Sequence, residues 1–503
     1  MTSRPDRRSF MSASTLGVGS LSFLNSLPAV SAAESKPDPN LLRLDTGIEP
    51  LVRLLEDTPR EKLLEEVGSR IKNGLAYRDV LTALLLAGVR NVPPRPTVGF
   101  KFHAVLVVNS AHLAALAGPD RERWLPLFWA MDNFKSSQAQ TIKENNGWRM
   151  KPVDESKLPS IEKAREAFIA SMDNWDEEGL DVATAALVRS GQPGELFDLY
   201  ARFGCRDFRD IGHKAIYVAN AFRALEVIGW QHAEPVLRSV SYALLQHDGG
   251  NPAKQDAEPD RCGRRNAELA RKIKPDWRGM KGGGQATSDI LAASRTASDA
   301  DLSQEVVTLL NAGNGPQVVW DGLFLAGGEL LMRQPGIVAL HSLTSLNALH
   351  YTFQRTGDEN NRKLLLLQAA AFVPLFRQAM KGRGKVEEAK IDELRPTKGM
   401  EDQDIGNIYA TLSKDKAAAA GMALAYLNDH PNRAKELIDA GRLLIFLKGT
   451  DSHDYKFSSA VMEDYASISP AWRNRFLAAS LFWLKGSAAG DSPLLKRTLA
   501  ALA

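Results

Sequence analysis

Gly212-His213-Lys214-Ala215-Ile216-Tyr217-Val218-Ala219-Asn220-Ala221-Phe222-Arg223-Ala224-Leu225 opens on a turn residue and a histidine and continues as a run of small and apolar residues. After a further turn comes a second apolar run, Glu234-Pro235-Val236-Leu237-Arg238-Ser239-Val240. Three other segments have the same layout. One runs from Gly99 through His103 and Asn109 to His112 and leads to Trp124-Leu125-Pro126-Leu127-Phe128. Another runs from Pro335 through His341 and Asn347 to His350. The last and most diverged runs from His453 to Val461 and leads to Trp472-Arg473-Asn474-Arg475-Phe476-Leu477.

The spacings agree closely enough to define a repeat. His103 to Asn109 and His341 to Asn347 are each six positions, His213 to Asn220 is seven, and His213 to Leu237 and His453 to Leu477 are each 24. The four initial histidines are 110, 128 and 112 residues apart. Such a period predicts about four units, each of which buries its helices against its neighbours. Elsewhere apolar residues recur at three and four spacing, as in Leu63-Leu64-Val67-Ile71 and Val80-Leu81-Leu84-Leu85, and alternating strand patterns are scarce. The expected fold is all-α: helical repeats forming a ring or solenoid, as a single domain over residues 34–503. A long irregular loop is expected at about 247–288, where charge is dense and Gly282-Gly283-Gly284 follows.

Composition removes several function classes. The 503 residues carry 63 Lys and Arg against 60 Asp and Glu, so no general electrostatic attraction to nucleic acid or acidic membranes is expected. The two cysteines, Cys205 and Cys262, are 57 positions apart without a CxxC, which excludes iron–sulfur clusters, all-thiolate zinc sites and covalent haem attachment. HExxH, the phosphate-binding GxxxxGK[ST] and the GxSxG elbow are all missing.

Residues 1–33 read as a leader. Asp6-Arg7-Arg8-Ser9-Phe10-Met11 resembles the twin-arginine export motif, a weakly apolar stretch runs from Ala13 to Leu27, and Val30-Ser31-Ala32-Ala33 offers a cleavage site. A periplasmic or otherwise exported protein is the expectation. Its removal leaves 60 basic and 59 acidic residues, and no later stretch reaches the roughly 18 apolar residues that span a bilayer. The twin-arginine route carries folded, often cofactor-loaded proteins, and the resemblance therefore implies a bound metal or haem.

Six of the nine histidines fall inside the repeats. Neutral imidazole suits iron, zinc, copper and nickel, so His103, His213, His341 and His453, each placed near a helix start, are the expected metal ligands, with iron foremost or haem in its place. An alternative pair, His112 and His350, each follows an Asn by three positions, so that Asn109 and Asn347 would orient them. His103 and His112 are nine residues apart, about 900° of rotation and nearly opposite faces, so only one set can line a centre. Asp321 and Glu329, eight apart just before His341, are the candidate catalytic carboxylates. The competing reading makes the chain a helical scaffold whose histidines bond locally to the preceding turn.

The segment 212–225, Asp260-Arg261-Cys262-Gly263-Arg264-Arg265-Asn266 with Pro275-Asp276-Trp277-Arg278-Gly279, and Leu340 to Leu349 together resemble the questin-oxidase-like group and the helical extensions of some Rieske-type proteins. No Rieske Cys/His pair is present. The first resemblance implies oxygenation of an aromatic or polyketide-like small molecule, whereas an exported protein has little access to reduced nicotinamide.

Overall fold

The four histidine segments contain stretches with no polar face, and a helix that is apolar all round must be buried on every side. In the computed structural model, which describes residues 42, 44–96, 99–118, 122–278, 283–397 and 404–503, they are the innermost helices. The leader expected at 1–33 lies outside the described residues.

In chain order the α-helices are α1 (Glu49–Asp57), α2 (Arg60–Lys72), α3 (Tyr77–Asn91), α4 (His103–Ala117), α5 (Leu125–Glu144), α6 (Ile161–Asn174), α7 (Glu177–Ser190), α8 (Pro193–Gly204), α9 (His213–Ile228) and α10 (Ala233–Leu244). The second half has α11 (Glu258–Lys272), α12 (Gly284–Ser294), α13 (Asp299–Asn311), α14 (Pro316–Arg333), α15 (Ile337–Arg355) and α16 (Glu359–Met380). It ends with α17 (Ile405–Leu412), α18 (Lys416–Asp429), α19 (Ala434–Lys448), α20 (Ser452–Ser467), α21 (Pro470–Ser480) and α22 (Leu495–Leu502). No strand occurs among the described residues, and no described helix is long and apolar enough to cross a membrane.

Four of these helices form the centre. In α4 every residue from His103 to His112 is buried, and in α15 every residue from Val338 to His350. Helix α4 packs on α9, α9 on α15, α15 on α20, and α20 back on α4. Each central helix also packs on the helix before it and the helix after it: α3 and α5 flank α4, α8 and α10 flank α9, α14 and α16 flank α15, and α19 and α21 flank α20. This four-helix centre is built from residues far apart in sequence, so its histidine-bearing ends meet only when the chain is folded.

Beyond the centre, buried ion pairs join the outer helices. The Arg90 side chain, fully buried in α3, donates to Glu56 Oε1 at 2.7 Å and to Glu49 at 2.8 Å, tying α1 to α3. Charges so placed are tolerated because their partners replace water.

The stretch 247–288 is not one irregular loop. Helix α11 occupies Glu258–Lys272 and α12 begins at Gly284. Pro259 stands at the helix start, where its missing N–H costs nothing, and Cys262, Asn266 and Leu269 bury one narrow face while the arginines point outward. So strongly charged a helix conceals its apolar stripe from composition. Arg261 and Arg264 pair with Asp256 and Arg265 with Asp299.

Candidate metal centre

The approach to His213 is conformationally costly. Asp210, Ile211 and Gly212 have φ of 47°, 47° and 81°, a left-handed passage that only glycine enters freely. It brings the Asp210 carbonyl within 2.5 Å of His213 Nδ1. His341, in the second turn of α15, places Nδ1 2.6 Å from the Ile337 carbonyl one turn back. His453 follows the N-cap of α20, Asp451, and its Nδ1 is 2.5 Å from Asp451 Oδ1. Only a protonated Nδ1 can meet a carbonyl oxygen or a carboxylate at these distances, so in the neutral rings Nε2 carries the lone pair.

The Nε2 atoms of His213 and His341 converge with that of His103. His213 Nε2 is 2.9 Å from His103 Nε2 and 3.0 Å from His341 Nε2. Ligand atoms of His103, His213 and His341 all lie within 4.8 Å of one another, and all three residues are buried. The His453 ring lies beside the group, outside the three whose ligand atoms are all within 4.8 Å, its centroid 4.5 Å from that of His103 and 5.1 Å from that of His341, and its buried Nε2 has no hydrogen-bond partner. Burial, reinforced by the charge of Lys456, holds His213 well below the usual imidazole range. Burial and the neighbouring His213 do the same to His341. Both rings are therefore neutral, and two bare lone pairs face each other with no proton between them.

A cation placed between the rings would resolve that contact. Tetrahedral nitrogen ligands at ~2.0–2.1 Å from an ion stand roughly 3.3–3.4 Å apart, a few tenths more than the His213–His103 and His213–His341 separations. The orientation of the His213, His341 and His453 rings is already fixed by hydrogen bonds at Nδ1, the arrangement that metal-binding histidines ordinarily have. Asp451 adds a carboxylate behind His453. Burial alone would raise its carboxyl, but the side-chain and backbone hydrogen bonds from His453 bring it down to about 2.

Lys456, one turn after His453, was not singled out from the sequence. Its Nζ is 3.3 Å from His213 Nε2, and burial pushes it down to about 7 against the opposing charge of Asp451. The legible signal was a lysine inside a segment whose other copies carry Ile216 and Thr344 at the corresponding place.

The remaining candidates have other surroundings. His112 Nδ1 and the Tyr77 hydroxyl are hydrogen-bonded to each other at 3.2 Å. His350 lies among Trp320, Phe324 and Phe353, where burial lowers it to about 4. The expected orienting amides do not serve these two rings. Asn109 donates to Asn220 Oδ1, and Asn347 to Asp464 Oδ1 and Glu463 Oε2. Asp321 accepts from Gln317 and from the Ser469 N–H at the start of α21. Glu329 is held by Arg295 and by the Ile391 N–H. Neither carboxylate belongs to the group of converging ligand atoms; both carboxylates fasten neighbouring elements, which eight-residue spacing on one helix could not distinguish from catalysis.

Comparison with family models, curated proteins and solved structures finds no match to this chain.

Proposed function

We propose that this protein binds one transition-metal ion through His103, His213 and His341, with His453 as the fourth imidazole, and uses it for oxidoreductase chemistry on a small molecule. The observation that carries the reading is the 3.0 Å approach of His213 Nε2 to His341 Nε2 with both Nδ1 atoms committed to backbone carbonyls. An all-imidazole donor set suits iron, copper, zinc or nickel, with iron the first to test. A bare ion fits better than haem, because His213 Nε2 is only 2.9 and 3.0 Å from His103 Nε2 and His341 Nε2 among three buried rings, which leaves no room for a porphyrin between them.

In this reading the four histidine units close around the ion as a ring, supported by the succession of contacts among α4, α9, α15 and α20. The leader that resembles a twin-arginine signal would deliver the loaded protein to the periplasm. When bound, the ion would supply Lewis acidity or electron transfer. The chain's own residues hold the rings in place through Asp210, Ile337 and Asp451 and keep bulk water away.

Metal analysis by mass spectrometry on protein purified without chelators, with an absorption spectrum, tests this. The expected result is close to one transition-metal ion per chain and no Soret band. Protein that carries no metal and takes up none of Fe²⁺, Co²⁺, Cu²⁺ or Zn²⁺ at micromolar concentration would overturn it.

A further inference from the structure

The four histidine rings follow one another in the order of their helices, and their spacing defines a shape. Neighbouring ring centroids are 4.9 Å apart for His103 and His213, 4.4 Å for His213 and His341, 5.1 Å for His341 and His453, and 4.5 Å for His453 and His103. His103 and His341, opposite each other in that order, are 6.3 Å apart. The angle at His213, and likewise at His453, is therefore close to a right angle. In a tetrahedron every pair of ligands is equally distant, and each such angle would be that of an equilateral triangle.

The nitrogens agree with the rings. Nitrogens bound at right angles, ~2.0–2.1 Å from an ion, stand roughly 2.8–3.0 Å apart, and His213 Nε2 is 2.9 Å from His103 Nε2 and 3.0 Å from His341 Nε2. Nitrogens on opposite sides of such an ion stand roughly 4.0–4.2 Å apart, within the 4.8 Å that spans the three-histidine group. His453 takes the remaining corner by ring position, its nitrogen outside that group and without a hydrogen-bond partner. The cause lies in the central helices. Each of α4, α9, α15 and α20 packs on two neighbours in a closed cycle and carries its histidine toward its N-terminal end, so the rings approach one centre from four sides.

We propose that the four imidazoles form the equatorial plane of a tetragonal metal site, whose two positions above and below the plane are not filled by imidazole. This rests on the metal reading above and selects among its ions. Tetragonal nitrogen sites suit copper(II) and nickel(II), whereas zinc takes four ligands in a tetrahedron. Iron fits the plane only with further ligands on its two faces.

The test uses the full chain, stripped of metal by a chelator, dialysed and loaded with one equivalent of Cu²⁺ for electron paramagnetic resonance. The expected spectrum is axial, with wide parallel copper hyperfine lines and coupling to four nitrogens. His453→Ala should keep the axial form with coupling to three. Loaded with Co²⁺ instead, the wild-type protein should absorb visible light at least tenfold more weakly than tetrahedral cobalt does. Narrow parallel copper splitting, or the intense bands of tetrahedral cobalt, overturns the square and leaves the metal reading standing. The same nitrogen coupling in the wild type and in His453→Ala removes His453 from the plane and also overturns it. Failure to take up either ion overturns the metal reading and the square together.

Discussion

His213 Nε2 and His341 Nε2 stand 3.0 Å apart, though 128 residues separate them, and each ring presents its hydrogen-bearing Nδ1 to a carbonyl of its own chain segment. The competing expectation, histidines bonded locally to the preceding turn, thus describes one half of each ring. The other half faces the centre, and the local bond is what aims it there.

Single substitutions should separate the two sets of histidines. His213→Ala or His341→Ala is expected to reduce metal content from near one to below about a tenth of an ion per chain, as loss of one of three or four ligands ordinarily does. His112→Ala should leave it unchanged, because that ring is engaged with Tyr77. Mass-spectrometric metal analysis on folded, monodisperse samples reads both. Equal loss in all three variants would mean that the centre is not where the lone pairs meet.

Glu329 should matter for stability and not for metal. Glu329→Ala leaves Arg295 and the Ile391 N–H without their acceptor, at a cost of about 2–4 kcal/mol. Asp321→Ala, which frees the Ser469 N–H and Gln317, should cost about 1–2 kcal/mol. Denaturant titration would show these losses while metal stoichiometry stays at the wild-type value. A large drop in metal content in either folded variant would restore the carboxylate to the site.

Asp464 sets a pH dependence. Burial raises its carboxyl well above the usual range, against the hydrogen bond from Asn347. The folded state therefore binds a proton that the unfolded state has lost, so stability falls as pH rises from about 4 toward the raised folded value. Asp464→Asn keeps an oxygen to accept from Asn347 and removes that slope. Its melting temperature relative to the wild type should rise steadily between about pH 4 and pH 7; a flat difference would mean that the carboxyl is ionised in the fold.

The backbone before His213 is equally open to test. Gly212 has φ of 81° and faces Ser345, with which a Cβ would collide. Gly212→Ala should cost about 1–2 kcal/mol for the left-handed conformation and more for the collision, while displacing His213. Metal affinity should fall along with stability. Ser345→Gly on that background relieves the collision and is expected to recover part of both, measured by thermal melting with and without added metal.

Sequence by itself determined that the chain is helical and that four histidines stand near the starts of comparable helices, because three-to-four apolar spacing and turn residues act over a few positions. It also determined, from nine-residue spacing and helix rotation, that His103 and His112 could not share a centre. Tertiary structure alone decided which histidines meet, that Asp451 and Lys456 stand behind and beside them, and that Asp321 and Glu329 serve as fasteners. It decided as well that the charged stretch after His247 holds a helix. Periodicity reports which face a residue occupies, and nothing in it reports what another segment a hundred residues away will place against that face.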